Sequence, residues 1–449
     1  MKAIKNKIKS NFFILVLLLI FLNFYIPKIN CFSQNYRFKI DSLQALLKKD
    51  KHDTAKINHL NDLSDIYETL GSLDTSLIYA QQALKISTIL THDKKTNNII
   101  SIKKAAIKGI ADAYLNIGFV YYDRGNYLLA LRNFSNSQKI CEVIKYKKGI
   151  SSAYNAMGMV YDDQGNYAKA LEYYYKALHI SEELGDKLGL INKLNNIGLV
   201  YFSQTNYPKA IEHFFKALKI AEEVNNKHAV LNILNNIGNI YNLQKNNDKA
   251  LEYYQKSLKI ANEIGDLSFS SKIKNNLAYV YFNLSNYSTA LEYFLEALEI
   301  EKETGNNYSI ALILNNIGNI FNIQKNYAEA LKYYLKSLEL SQKINDKKGI
   351  SITLGNIGVA YTQIGNFNKA ENSLKLAIEY SDSIGVLESK KLAELGLFQL
   401  YDTIGNYKLA LEHYKKYIVA RDSITNDEKK KQQLHAEMNY EFEKKQAIA

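Results

Sequence analysis

From Leu194 onward, apolar and small residues recur at helical spacing. Leu194, Ile197, Gly198 and Tyr201 fall at i, i+3, i+4 and i+7, which is one face of a helix. After Asn206, a second stripe follows at the same period: Ala210, Ile211, Phe214, Ala217, Leu218 and Ala221. Two stripes joined by a short turn predict a hairpin of two helices, A and B. Moving this stretch by 40 residues in either direction finds close copies of it. One column reads Gly118, Gly158, Gly198, Gly238, Ala278, Gly318 and Gly358, and another runs from Ala130 through Ala170, Ala210 and Ala250 to Ala410. Between them Asn126, Asn166, Asn206, Asn246, Asn286, Asn326, Asn366 and Asn406 stand where helix B needs an N-cap. Pairs such as Gly185-Asp186, Gly265-Asp266 and Asn345-Asp346 stop helix B and cap the next helix A. A fixed period of this size predicts an all-α solenoid, because one hairpin cannot bury its own faces and must stack on its neighbours.

The same columns divide the chain. Ile40, Leu43, Leu46 and Leu47 place a capping helix in residues 34–53. Residues 54–105 hold a degenerate repeat, in which Tyr67, Gly71, Ala83 and Leu84 keep the columns, followed by an insertion over Thr91–Lys104. Residues 106–421 make eight regular repeats, and residues 422–449 form a charged, helix-prone segment with Leu434, Met438 and Phe442 at i, i+4 and i+8.

These residues resemble the tetratricopeptide repeat (TPR). Tyr201 and Phe214 stand where that family places aromatics, and Gly198 and Ala210 where it places small residues. The family's usual period is 34 residues; the 40-residue form is similar to that of kinesin light chains and Pins-type spindle adaptors. The resemblance implies a superhelix of helix-turn-helix units. The chain departs from it in having no tryptophan, in Glu182 and Glu222 at the late proline position, in Phe398 at the glycine position of the last repeat, and in Glu371 for a leucine. The segment after Leu411 resembles the linker of bacterial envelope signalling proteins, in which an exported repeat array precedes a membrane span and an output domain.

Charge adds little to this picture. The net charge is +12, of which +5 lies in residues 1–33, and the remaining lysines are interleaved with glutamates. A nucleic-acid reader concentrates its basic residues on one face, so no nucleic-acid partner is expected. Lys2, Lys5, Lys7 and Lys9 precede the apolar run Phe12–Leu22, and Cys31-Phe-Ser33 offers small residues for cleavage. That pattern predicts a signal peptide over 1–33 and export to the periplasm or cell envelope. Membrane attachment would come only through an uncleaved N-terminus or through a span beyond residue 449. With 1–33 removed, Cys141 is the single cysteine, read as a buried thiol.

No constellation carries catalysis. The eight histidines, His213 and His413 among them, lie outside any metal-ligand spacing and read as surface residues. Glu172, Glu212, Glu252 and Glu412 each precede a lysine by four residues, the order that stabilises a solvated helix face. No glycine-rich phosphate loop occurs, so neither cofactor nor metal is expected and the chain reads as a non-enzyme.

The asparagines of helix A are different, because asparagine is a mediocre helix former. Asn155, Asn195, Asn235, Asn275 and Asn315 make one column, and Asn196, Asn236, Asn276 and Asn316 its neighbour. They share a helical face with Phe202, Asn239, Asn242, Tyr279, Phe282, Asn319 and Asn322. The resemblance to kinesin light chains and Pins implies that this face lines a concave groove and that its asparagines hold the main chain of an extended peptide. An amide suits that role because it both donates and accepts. The alternative use of a column is to bond neighbouring helices. The expectation is a peptide- or protein-binding scaffold; the second reading is the sensory part of a membrane signalling system, with self-association through the C-terminal helix left open.

Overall fold

The computed structural model describes residues 36–50, 54–93 and 100–426. The signal peptide assigned to 1–33 and most of the segment 422–449 lie outside them. All regular structure among the described residues is helical. The chain divides into two compact units, one holding the described residues up to Ala229 and the other those from Val230.

In the first unit, α1 (36–49) is followed by α2 (Thr54–Thr69), α3 (Leu73–His92), α4 (Ile100–Asp123), α5 (Tyr127–Val143), α6 (Lys147–Asp163), α7 (Tyr167–Leu184), α8 (Lys187–Ser203) and α9 (Tyr207–Glu223). Helix α10 (Lys227–Leu243) leads into the second unit, which continues with α11 (Asn247–Ile264), α12 (Leu267–Asn283), α13 (Tyr287–Thr304), α14 (Asn307–Ile323), α15 (Tyr327–Lys343), α16 (Lys347–Gln363), α17 (Phe367–Ile384), α18 (Leu387–Thr403) and α19 (407–426). Even-numbered helices are the A helices and odd-numbered ones, from α3, the B helices. Part of the insertion proves helical: residues 100–104 lengthen α4 at its start. Leu47 of α1 packs on a core of Ile57, Leu60, Ala83 and Ile86.

The asparagine column caps the B helices by side chain to backbone. Asn126, Asn166, Asn206, Asn246, Asn286, Asn326 and Asn366 each accept from the amide three residues on. Before each cap the backbone turns left-handed. Gly125, Gly165 and Gly365 do so freely, but Thr205 holds φ 59° with a branched side chain.

The glycine column sets how closely A and B approach. A Cβ on Gly198 would stand 2.6 Å from the Phe214 ring, and one on Gly238 would stand 2.7 Å from the Tyr254 ring. The helix-B aromatics therefore lie flat on bare helix-A backbone: Tyr174, Phe214, Tyr254, Phe294 and Tyr334 are buried to about 1% exposure or less. A helices also touch the next one within a unit where α2 meets α4, α4 meets α6, α14 meets α16 and α16 meets α18. One side of these A helices is thus used up by packing, and of the side bearing the asparagines Asn235 and Asn315 are themselves buried.

Candidate functional site

The structure separates the two asparagine columns. In the second unit, Asn235 is 1% exposed and Asn315 7%. The Oδ1 of Asn235 accepts from Asn276 Nδ2 at 2.9 Å, and that of Asn315 from Asn356 Nδ2 at 3.0 Å. In the first unit, Asn155 Oδ1 accepts from Asn196 Nδ2 at 3.1 Å. The rule is a bond from the second column of one repeat to the first column of the repeat before it, an offset of 41 residues. Asn155, Asn235 and Asn315 therefore tie A helices together, the use that needs no ligand. Asn195 and Asn236 have partners as well.

A second structural use was hidden in the sequence. Tyr254 donates its hydroxyl to Asn239 Oδ1 at 2.7 Å, and Tyr334 donates to Asn319 Oδ1 at 2.8 Å. Where the helix-B aromatic is Phe134, Phe214 or Phe294, with no hydroxyl to place, the matching helix-A residue is Phe119, Leu199 or Tyr279 rather than asparagine. The spacing of 15 residues holds for these two pairs, while the buried Tyr174 has Met159 at that place. The two bonds make Asn239 and Asn319 anchors for a buried tyrosine, and Asn319 Oδ1 also accepts from Asn356 Nδ2 at 3.2 Å.

Of the remaining members Tyr279 is exposed and the others are half-buried. Tyr279 is 49% exposed and stacks on Phe282 with ring centroids 6.4 Å apart. Phe282 meets Tyr287 edge-on at 5.8 Å. Tyr279, Phe282, Phe294, Asn316 and Asn319 line one cleft. Asn275 and Asn322 each hold a buried Oδ1 with no donor, while Asn242 is half-buried. Further along the same unit, Gly355 takes the first-column place, and a Cβ there would meet nothing. The opening it leaves is lined by Ile352, Val359, Leu392 and Leu395 beside Asn356. In the first unit, Phe202 is half-buried and packs on Tyr207 at 6.1 Å.

Sequence reading missed the acidic part of the first unit's A-helix face. By register with Tyr67 and Gly71, the places held elsewhere by Asn196, Leu199 and Phe202 are held in α2 by Asp62, Asp65 and Glu68. Asp112 and Asp123 of α4 and Asp162 of α6 add to them. Burial, then the charge of Asp123, pushes the Glu68 carboxyl up to about 7. Burial and the neighbouring Asp163 take Asp162 up to about 6, and burial first and Asp62 second raise Asp65. Asp112 has Lys108 at 3.4 Å, yet burial still raises it. The outer faces behave oppositely. Glu172, Glu212, Glu252 and Glu412 bind Lys176, Lys216, Lys256 and Lys416 at 2.6–2.8 Å, and the lysine bond holds Glu212 below its ordinary range.

Two histidines require correction. His213 and His413 are buried, not surface residues. His213 donates from Nδ1 to the Lys209 carbonyl, so Nε2 accepts from the Tyr175 hydroxyl, and burial lowers its pKa. His413 pairs with the buried Glu394 at 2.6 Å under the ring of Tyr401. Each has a polar partner in the interior, which makes burial affordable. Cys141 is a free, buried thiol whose pKa burial pushes up to about 11. Among the described residues no group of three or more His, Cys, Asp or Glu is placed to hold a metal ion, and no helix is long and apolar enough to cross a membrane.

Comparison with known proteins agrees with this geometry. A tetratricopeptide repeat sequence profile matches residues 109–183, 189–263 and 309–383, and a second tetratricopeptide repeat profile matches 272–306. No curated protein sequence matches the chain. Among solved structures it is similar to the apo form of RapI, at 16% identity and a TM-score of 0.62, covering 82% of this chain and 98% of that one. It is also similar to a Rap protein complexed with competence and sporulation factor, at 14% identity and a TM-score of 0.52, covering 83% and 99%. A third is a signal transduction ATPase with numerous domains and a tetratricopeptide repeat sensor from Pyrococcus horikoshii, at 16% identity and a TM-score of 0.57, covering 88% and 66%. At such identities the likeness is one of fold. With one profile spanning half of the sequence, and with glycine-on-aromatic hairpins repeated through both units, the chain belongs to the tetratricopeptide repeat family.

Proposed function

We propose that the chain is a non-catalytic scaffold that holds an extended segment of a partner protein against its A-helix face. The observation that carries this reading is the Tyr279–Phe282 pair. On one A-helix face Tyr279 is exposed and Phe282 half-buried, with Asn316 and Asn319 beside them in one cleft. Aromatic rings edged by amides accept apolar side chains while the amides meet a peptide backbone. Asn276 gives one N–H to Asn235 and keeps its carbonyl and its other N–H. Asn155, Asn235 and Asn315 of the first column contribute by fixing how the A helices stack, not by contact.

A solved structure of similar fold is a Rap protein complexed with competence and sporulation factor, and this supports the reading. Export through residues 1–33 belongs to the proposal, so the partner is sought in the cell envelope. The test is affinity capture from envelope extract with the full chain and with a Tyr279→Ala, Phe282→Ala variant. The reading expects the variant to keep its helicity and to lose the captured protein by ~10-fold or more. Undiminished capture would remove the A-helix face as the binding surface.

A further inference from the structure

We infer that the chain pairs with a second copy of itself through the far end of the second unit, where α19 and the flank of α18 form an exposed aromatic and aliphatic face. This surface uses none of the residues of the Tyr279–Phe282 cleft.

Elsewhere in the unit, the side of each B helix turned toward the next repeat is covered. Helices α11, α13, α15 and α17 each pack on the A helix that follows. Their ring or leucine at the glycine contact, Tyr254, Phe294, Tyr334 and Leu374, is fully buried. The equivalent Tyr414 of α19 is 40% exposed. Among the described residues no further helix follows to cover it. In addition, Phe398 stands where the other A helices carry a small residue. With a ring in that place Tyr414 cannot lie flat on bare backbone, and it stands beside Phe398 at 5.0 Å instead. Tyr417 in turn lies against Tyr414 at 5.9 Å.

Two more columns change in this last repeat. The small, buried column Ala217, Ser257, Ala297, Ser337 and Ala377 ends in Tyr417. The exposed, charged column Lys219, Lys259, Glu299, Glu339 and Glu379 ends in Val419, which is 65% exposed. Leu411 and Tyr407 are exposed on the same helix. A repeat that only terminates an array carries a polar outer face. Here charge gives way to valine and alanine to tyrosine, in a contiguous patch of the kind that marks an interaction site.

The occupant is a second copy rather than the chain's own continuation. Tyr417 fills the place that a small residue elsewhere leaves for a following A helix. In the next register, Lys431, Glu437 and Glu441 replace the core residues Ile191, Ile197 and Tyr201. Thr425 and Asn426 also stay helical, whereas Gly265, Gly305, Asn345 and Gly385 turn the earlier B helices back through a positive φ. Charge then favours a copy in antiparallel register. Lys408 lies near the start of α19 and Asp422 near its end, roughly 21 Å apart at 1.5 Å per residue. Laying two α19 helices antiparallel brings Lys408 beside Asp422 of the second copy, twice by symmetry, and sets Leu411 opposite Val419. Asp422 holds Arg421 at 2.8 Å, and its carboxylate keeps further acceptor positions. Such a contact is isologous and closes at two chains. Two helices of this length, side by side, present a face on the order of 600 Å2, close to the ~800 Å2 per partner of a stable interface.

The experiment is sedimentation equilibrium of the full chain over ~1–100 µM. A monomer–dimer equilibrium is expected. Leu411→Glu with Val419→Glu should weaken it ~10-fold or more while helicity and melting temperature stay as they were, because both side chains are exposed. Lys408→Glu should also weaken it, and Lys408→Glu with Asp422→Lys in the same chain should restore it, a rescue that a purely structural role for these residues would not produce. A photo-crosslinking side chain at Leu411 should join two copies. A chain that stays monomeric throughout the range, a dimer indifferent to the two glutamates, a charge exchange that fails to restore pairing, or a crosslink from position 411 to residues 427–449 of the same chain would each overturn the inference.

Discussion

The A-helix faces of the two units are built on the same columns and carry different chemistry. In the first unit the columns opposite the packing side read Asp62, Asp65 and Glu68, then Asn116 and Phe119. In the second they read Asn276, Tyr279 and Phe282, then Asn316, Asn319 and Asn322. Beneath both, the hairpin is constant: Gly118 lies against Phe134 and Gly318 against Tyr334. A repeat protein can vary one face freely because neighbouring repeats contact one another through the others. The columns that vary while the packing columns stay fixed are where recognition is to be sought.

That comparison can be broken at several levels. The largest effect should come from the constant part. Gly238→Leu drives a side chain into the Tyr254 ring and should destabilise the second unit by about 3 kcal/mol, read by chemical denaturation. Next is the amide that ties helices rather than meets a ligand. Asn235→Ala strands Asn276 Nδ2 and should lower stability by about 1–2 kcal/mol. Asn242→Ala, which has no such bond, should leave stability nearly unchanged. A smaller effect separates the units by pH. Glu68 and Asp162 titrate higher in the folded chain than in the unfolded one, so the folded state binds more protons between about pH 4.5 and 7. The first unit should therefore lose stability as pH rises through that window. Neutralising Asp62, Asp65 and Glu68 should raise its melting temperature by about 2–4 °C at pH 7.5 and by little at pH 4.5. Least of all, Glu212→Gln on the outer face should cost about 0.3 kcal/mol, because a solvated helical pair is worth little. A larger loss there would erase the contrast between the two kinds of carboxylate.

The hairpin, its caps and its period were legible because each rests on a local rule repeated many times. Asn206 caps α9, and Gly198 faces Phe214, wherever the neighbouring repeats sit. The uses of the amides were less legible. The bond from Asn276 to Asn235 depends on how one repeat stacks on the next, which no single repeat encodes. The Tyr254–Asn239 and Tyr334–Asn319 bonds were only partly legible, since asparagine is absent where the aromatic lacks a hydroxyl but also before Tyr174, where Met159 stands. The acidic stripe stayed hidden because the insertion before α4 moves Asp62, Asp65 and Glu68 out of the regular frame. Burial of His213 and His413 was misjudged because their partners, Tyr175 and Glu394, are 38 and 19 residues away.

The central claim is that a partner lies on the A-helix face. It is tested most directly by placing a photo-crosslinking side chain at Tyr279, on that face, or at Leu295, an exposed residue of helix α13. Each full chain is then irradiated in envelope extract and the crosslinked protein identified. The account predicts one discrete adduct from position 279 and none from 295. An adduct from 295, with none from 279, would contradict it.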